Sequence, residues 1–128
     1  MKFLIDTHVF LWWVMDSTSF SAEARRLLTD DGSSIVLSSV VPWELAIKSA
    51  KGQLVFAEPL DTVVDKYTRR FGLDPLPVSI PHALKTATLP GIHRDPFDRM
   101  LIAQALVENL PLMTADAIIA RYKVPIIW

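Results

Sequence analysis

The chain has 128 residues, 51% of them hydrophobic and 21% charged, and its 13 basic and 14 acidic side chains leave a formal net charge of −1. That apolar content excludes a disordered chain, and the length suits one domain that buries about two-thirds of its unfolded surface without a disulfide or structural metal. The near-neutral balance gives no general argument for nucleic-acid binding, so such a partner needs a local patch of Lys and Arg. Cysteine is absent, which removes disulfides, thiolate metal sites and a cysteine nucleophile. The longest stretch without a charge, Gly32–Trp43, has 12 residues and contains Pro42, too short to span a bilayer. No small-residue cleavage signal follows the early acid Asp6, so no signal peptide is expected and the chain reads as soluble and cytoplasmic. The apolar surplus fits either a tightly packed α/β core or a surface reserved for another subunit or partner.

In chain order, Met1–Ile5 is a short apolar run that stops at Asp6 and reads as a first strand. Thr7–Met15 is apolar nearly all round, as in a helix packed on a sheet. Ser21 caps a second helix that ends near Asp31–Gly32, and Ile35–Leu37 is a buried strand. Ser39 is expected to cap the next helix, where Pro42 falls in a first turn that has no use for its missing N–H. Leu60, Val63, Val64, Tyr67 and Phe71 form an amphipathic stripe that Gly72 closes. Leu76–Ser79 reads as a strand, Pro81–Thr88 as a short helix, and Pro96–Glu108 as a long one. A strand at Leu112–Thr114, a short helix from Ala117 to about Tyr122 and a last strand at Val124–Trp128 complete the chain. Strands alternating with helices predict a parallel, doubly wound α/β sheet of about four to five strands with helices on both faces. In such sheets ligands bind beyond the carboxyl ends of the strands, at a topological switch point.

Four acids fall at that edge. Asp6 follows the first strand, Glu44 lies in the first turns of the helix after the second, Asp98 sits in the first turn of the long helix, and Asp116 comes two residues after Leu112–Thr114. Each has a local explanation. Asp6 and Asp116 suit N-caps, Asp95-Pro96-Phe97-Asp98 resembles a capping box, and Glu44 with Lys48 is a favourable i, i+4 pair. Together they make a cluster of hard oxygen ligands that repel one another unless a cation neutralises them, which suits Mg²⁺ or Mn²⁺ and phosphodiester hydrolysis. No glycine-rich phosphate loop or nucleophile elbow competes.

The segments KFLIDTHVFLWW, SSVVPWELAIK, HRDPFDRMLIAQA and LMTADAII, in this order and at these separations, resemble the PIN-domain ribonucleases. The likeness is nearest to the toxins of VapBC-type toxin–antitoxin pairs, and it runs over essentially the whole chain. It implies one PIN-like domain over residues 1–128, folded as a three-layer sandwich. It also implies an acidic Mg²⁺ site in which Asp6 and Asp98 ligate directly, while Glu44 and Asp116 act through water or on a second ion. Thr114 is placed to orient the last acid, and Asp95 is better read as a cap. Endonucleolytic cleavage of RNA, a homodimer and inhibition by a small VapB-like antitoxin are further implications. Lys48, Arg94 and Arg99 are candidates for contacts with an RNA backbone. His8, His82 and His93 read as packing histidines, and the four tryptophans as core or dimer-interface residues. A structure-selective DNA nuclease and a non-catalytic binding module, in which the acids serve only as caps and ion pairs, are the alternatives.

Overall fold

The computed structural model describes residues 1–128. In chain order it contains β1 (Lys2–Ile5), α1 (Thr7–Val14), α2 (Ala22–Thr29), β2 (Ser34–Ser38), α3 (Val40–Ala50), α4 (Leu60–Phe71), β3 (Asp74–Leu76), α5 (Ile80–Thr86), α6 (Pro96–Val107), β4 (Leu112–Met113) and β5 (Ile126–Ile127). The strands form one sheet in the order β3-β2-β1-β4-β5, with every neighbouring pair parallel. Phe3, Leu4 and Ile5 of β1 and Ile35, Val36 and Leu37 of β2 are all buried, the mark of strands covered on both faces. From β1 the chain steps outward through β2 to β3, then crosses back to place β4 on the other side of β1. Because parallel crossovers are right-handed, that reversal puts helices on both faces and opens a crevice beyond the carboxyl ends of β1 and β4.

Several local expectations shift. The third strand is Asp74–Leu76 rather than Leu76–Ser79, because its register sets Asp74 opposite Val36 and Leu76 opposite Ser38. Pro75 is tolerated there because β3 is an edge strand. Helix α5 begins earlier than expected, at Ile80, where Ser79 and His82 close a reciprocal capping box. The helix expected over Ala117–Tyr122 is only a 3-10 turn, Ile119–Arg121. Ser39 has helical backbone angles and makes no cap bond. The hydroxyl of Ser38 takes that role instead, accepting the Val40 N–H at 3.0 Å while donating to Gln104 Oε1, so that β2, α3 and α6 meet at one buried point. Trp12, Phe20 and Trp128 pack together and Trp13 lies 4.2 Å from Phe71, but Trp43 is 56% exposed and leans edge-on against Phe97.

Arg99 corrects another expectation. Its guanidinium serves the chain itself rather than standing free for RNA. It donates to the carbonyls of Thr86 and Pro90 at 2.9 Å each, and at 3.4 Å to those of Leu89 and His93 and to the Tyr122 hydroxyl. Tyr122 donates to the Pro90 carbonyl at 2.9 Å and accepts the His93 N–H at 2.7 Å. The connection from α5 to α6 has carbonyls with no ladder or helix to join, and the planar five-donor fork of Arg satisfies them. Arg99→Ala is therefore expected to lower the unfolding free energy by about 2–3 kcal/mol, as for lost hydrogen bonds to a charged group. Arg99→Lys should recover less than half of that, because one ammonium cannot reach both Thr86 and Pro90. Urea denaturation of the three proteins measures both effects, and a loss below about 0.5 kcal/mol, the scale of an ordinary surface substitution, would contradict the assignment.

Candidate functional site

The crevice between β1 and β4 is where the acids gather. Asp6 caps α1, with Oδ1 accepting the Val9 N–H at 2.8 Å, and its Oδ2 accepts the Thr114 hydroxyl. Thr114 directly follows β4, and its oxygen accepts the Asp116 N–H at 3.0 Å. One hydroxyl thus ties the ends of the two strands together. Asp116 in turn accepts the Ile118 N–H on Oδ1 at 2.8 Å, across the bend that leads into the 3-10 turn whose N-cap is Ile118. The expected N-cap is therefore found at Asp6 but not at Asp116, whose carboxylate bonds the bend ahead of the 3-10 turn. Asp6 and Asp116, with His8, Trp12 and Ala115, line a hollow of about 250 Å³.

Helix α6 brings the third acid. Asp95 is its N-cap and accepts the N–H groups of Phe97 and Asp98, as expected. The capping box is not completed, however. The Asp95 N–H goes to His93 Nδ1 at 3.1 Å, so the Asp98 carboxylate does not fold back and is released toward the centre. Because Nδ1 accepts that bond, the neutral ring carries its proton on Nε2. Nε2 lies 3.1 Å from Asp116 Oδ2, to which its N–H donates, and 3.0 Å from Asp98 Oδ2, which meets the ring as a close electrostatic neighbour. His93 is thus no packing histidine. It belongs to the site.

Glu44 arrives from α3, 2% exposed. Its Oε1 accepts the Thr7 hydroxyl at 2.8 Å, and its Oε2 pairs with Lys48 Nζ at 2.5 Å. Thr7 is the second residue that pattern reading missed, since its bond to Glu44 spans 37 positions and leaves no local signal. For His93 a signal existed in its place two residues before the cap, where a ring nitrogen can take the cap's own N–H. Among the expected RNA contacts, Lys48 is paired with Glu44, Arg99 is bonded within the chain, and Arg94 is exposed with no ion-pair partner. His8 is exposed at the hollow, whereas His82 is buried in its capping box.

The PIN domain family model matches residues 3–125. The chain belongs to the PIN-domain family. It is similar to ribonuclease VapC22 of Mycobacterium tuberculosis, 24% identical over 125 residues that cover 95% of this chain and 92% of that protein. Its fold matches that of VapBC2 from Rickettsia felis bound to a promoter DNA fragment, with a TM-score of 0.74 and 18% identity over 99% of this chain and 98% of that one. DNA-bound VapBC from Salmonella typhimurium gives 0.73 and 20%, over 99% and 97%.

In this PIN domain the electrostatics set Asp98 apart. Asp6 and Glu44 each have two donors and Asp116 has the Ile118 N–H and the His93 ring, whereas the two Asp98 oxygens have no hydrogen-bond donor and only the nearby His93 ring to offset their charge. Burial, followed by repulsion from Asp95, Glu44 and Asp6 that His93 only partly offsets, pushes Asp98 up to about 7. Burial also raises Asp6, against the bonds from Thr114 and Val9. At Asp116 burial pushes upward as well, but the N–H groups of Ile118 and Ile119 and the His93 ring hold it below the usual carboxylate range. A buried carboxylate short of donors beside two other acids is what a cation would relieve. With the His93 proton on Nε2 the ligand set is oxygen only, which fits Mg²⁺ or Mn²⁺.

The raised Asp98 carries a consequence for stability. The metal-free native protein holds a proton on Asp98 up to about pH 7, while the unfolded chain releases it near 3.8, so this group's contribution to stability declines from about pH 4 to pH 7. Thermal unfolding in EDTA should show Asp98→Asn gaining on the wild type across that window and melting above it at pH 7.5. Parallel curves for the two proteins would place the raised carboxyl elsewhere.

Proposed function

We propose that this chain is a Mg²⁺-dependent endoribonuclease that cleaves RNA phosphodiester bonds as the toxin of a toxin–antitoxin pair. The observation that carries the reading is the gathering of Asp6, Glu44, Asp98 and Asp116 at the switch point of a PIN sheet, with Asp98 under-supplied with donors. Similarity to a protein named ribonuclease VapC22 supports the activity, and fold likeness to VapBC complexes supports the antitoxin.

In this reading Asp6 and Asp98 hold the cation directly and Glu44 and Asp116 hold its waters, with Mn²⁺ able to replace Mg²⁺. When bound, the ion supplies charge neutralisation and an activated water for attack on phosphorus. The chain's own residues fix the acids. Thr114 orients Asp6, His93 spaces Asp98 from Asp116, and Thr7 and Lys48 hold Glu44. Arg94, exposed beside α6, is the free cation nearest in sequence to the acids for a substrate phosphate.

The apolar surplus lies partly on the surface and suits the two protein partners. Exposed Met15 and Val55 line a hollow of about 320 Å³ with Val14, Phe56, Val63 and Tyr67, a seat for an apolar segment of a VapB-like antitoxin. Val78, Ile80 and Leu84 are exposed together around α5 and suit a homodimer. No helix is long and apolar enough to cross a membrane, and cytoplasmic action fits an RNA substrate.

The test is cleavage of a mixed RNA pool, with branched DNA in parallel, by wild type, Asp6→Asn and Asp98→Asn in Mg²⁺ and in EDTA. Cleavage of RNA only, lost in EDTA and reduced at least about 10³-fold in both variants with the fold retained, is the expected result, a loss comparable to removing a main element of transition-state stabilisation. Full activity of either variant would overturn the site assignment, and preferential cutting of branched DNA would overturn the substrate class.

A further inference from the structure

We propose that Lys48 is the built-in counter-ion of Glu44 and limits the substrate-free centre to one divalent cation per chain, held on the side of Asp6, Asp98 and Asp116. The inference rests on the metal-nuclease reading and adds to it the ion count and the residue that sets it.

Glu44 is the one acid of the four that has a Lys or Arg partner, since Asp6 has no ion pair and Asp98 and Asp116 meet only His93. Both Glu44 oxygens are engaged, Oε1 by the Thr7 hydroxyl at 2.8 Å and Oε2 by Lys48 Nζ at 2.5 Å. The pairing is set by the helix itself, because Glu44 and Lys48 stand at i and i+4 in the favoured order on α3. A divalent ion seated on Glu44 would have to share oxygens that already accept the hydroxyl and the ammonium, and it would approach against the ammonium's charge. The other three acids impose no such condition.

Charge gives the same answer. With Lys48 in place, four acids and one divalent ion leave the centre with a single negative charge, whereas a second ion would turn it positive before any phosphate arrived. Two-ion phosphoryl-transfer sites set their cations about 3.5–4 Å apart, which demands more anionic charge than three uncompensated carboxylates provide. Lys48 is only partly covered, its side chain 36% exposed, so its charge can be removed without emptying a packed core position.

The experiment titrates the full chain with Mn²⁺ in the absence of RNA and counts bound ions by electron paramagnetic resonance of free Mn²⁺, with melting temperature read on the same samples. Wild type should bind one ion. Lys48→Met, which keeps the aliphatic stem, should bind two, and Mn²⁺ should raise its melting temperature by more than in wild type, because Glu44 is left buried without a cation. Lys48→Met combined with Glu44→Gln should return to one ion, and Asp98→Asn should lose the wild-type ion. Two ions on the wild type would overturn the proposal while leaving the metal centre standing, and so would one ion on a folded Lys48→Met protein. If Lys48→Met does not fold, Lys48→Gln carries the same count. A wild type that binds no Mn²⁺ would remove the metal-nuclease reading itself.

Discussion

Carboxylates brought together in a poorly solvated crevice repel one another, and the local structure at the carboxyl edge of this sheet is organised around holding them there. Each acid is stabilised from a different level of structure. Asp6 takes the N–H of the helix it caps, Asp116 takes the Ile118 N–H and the His93 ring, Glu44 takes the ammonium of its own helix neighbour, and Asp98 has only the nearby imidazole. Helices α1 and α6 also begin at the crevice, so the positive ends of their backbone dipoles face the acids. What the protein leaves unbalanced is concentrated on Asp98. There, as at Asp6, burial raises the carboxyl, and an added cation has an under-supplied oxygen pair to take.

The same arrangement explains why capping and function could not be separated from the sequence. An N-cap needs a short side chain with an oxygen facing the first turn of a helix. A site at the carboxyl edge of a parallel sheet needs the same oxygen at the same strand-to-helix junction. Asp6 meets both demands with its two oxygens, one on Val9 and one on Thr114. Asp95 and Asp98 show the demands divided between neighbours, the first serving the helix and the second the centre. The division depends on His93, which takes the backbone N–H that a completed capping box would have given to Asp98.

What was legible in the sequence is what local pattern controls. The alternation of apolar runs with capped helices announced a parallel doubly wound sheet, and the strand-end positions of Asp6, Glu44, Asp98 and Asp116 placed them at one edge. Features fixed by contacts distant in sequence were out of reach. Strand β3 takes its register from β2, which drew it to Asp74–Leu76 despite the proline. Ser38 replaces Ser39 as the α3 cap because its hydroxyl is held by Gln104, 66 positions away. The helix expected at Ala117–Tyr122 is a single 3-10 turn in a segment that Thr114, Asp116 and Tyr122 tie to other parts of the chain. Arg99 looked like a phosphate contact because it neighbours an acid. The carbonyls that claim it lie in a connection whose path no periodicity reveals.

The near-neutral composition takes on a meaning once the cations are located. Arg99 is bonded to carbonyls and Lys48 to Glu44, and Arg26, Lys66 and Arg69 each pair with an acid on the surface. Those five of the 13 basic side chains are taken up within the chain, and with 14 acids in all there is no basic surplus to attract a polyanion by counter-ion release alone. On the ribonuclease reading, the pull on a phosphate has to come from the centre itself. On that reading the acids would hold a divalent charge where the scissile group sits, and metal occupancy and substrate engagement would be two aspects of one electrostatic arrangement. A strongly basic surface would bind RNA at many registers. A near-neutral surface around one bound cation with open coordination positions would favour those placements that set a phosphate on the acids at the end of β1.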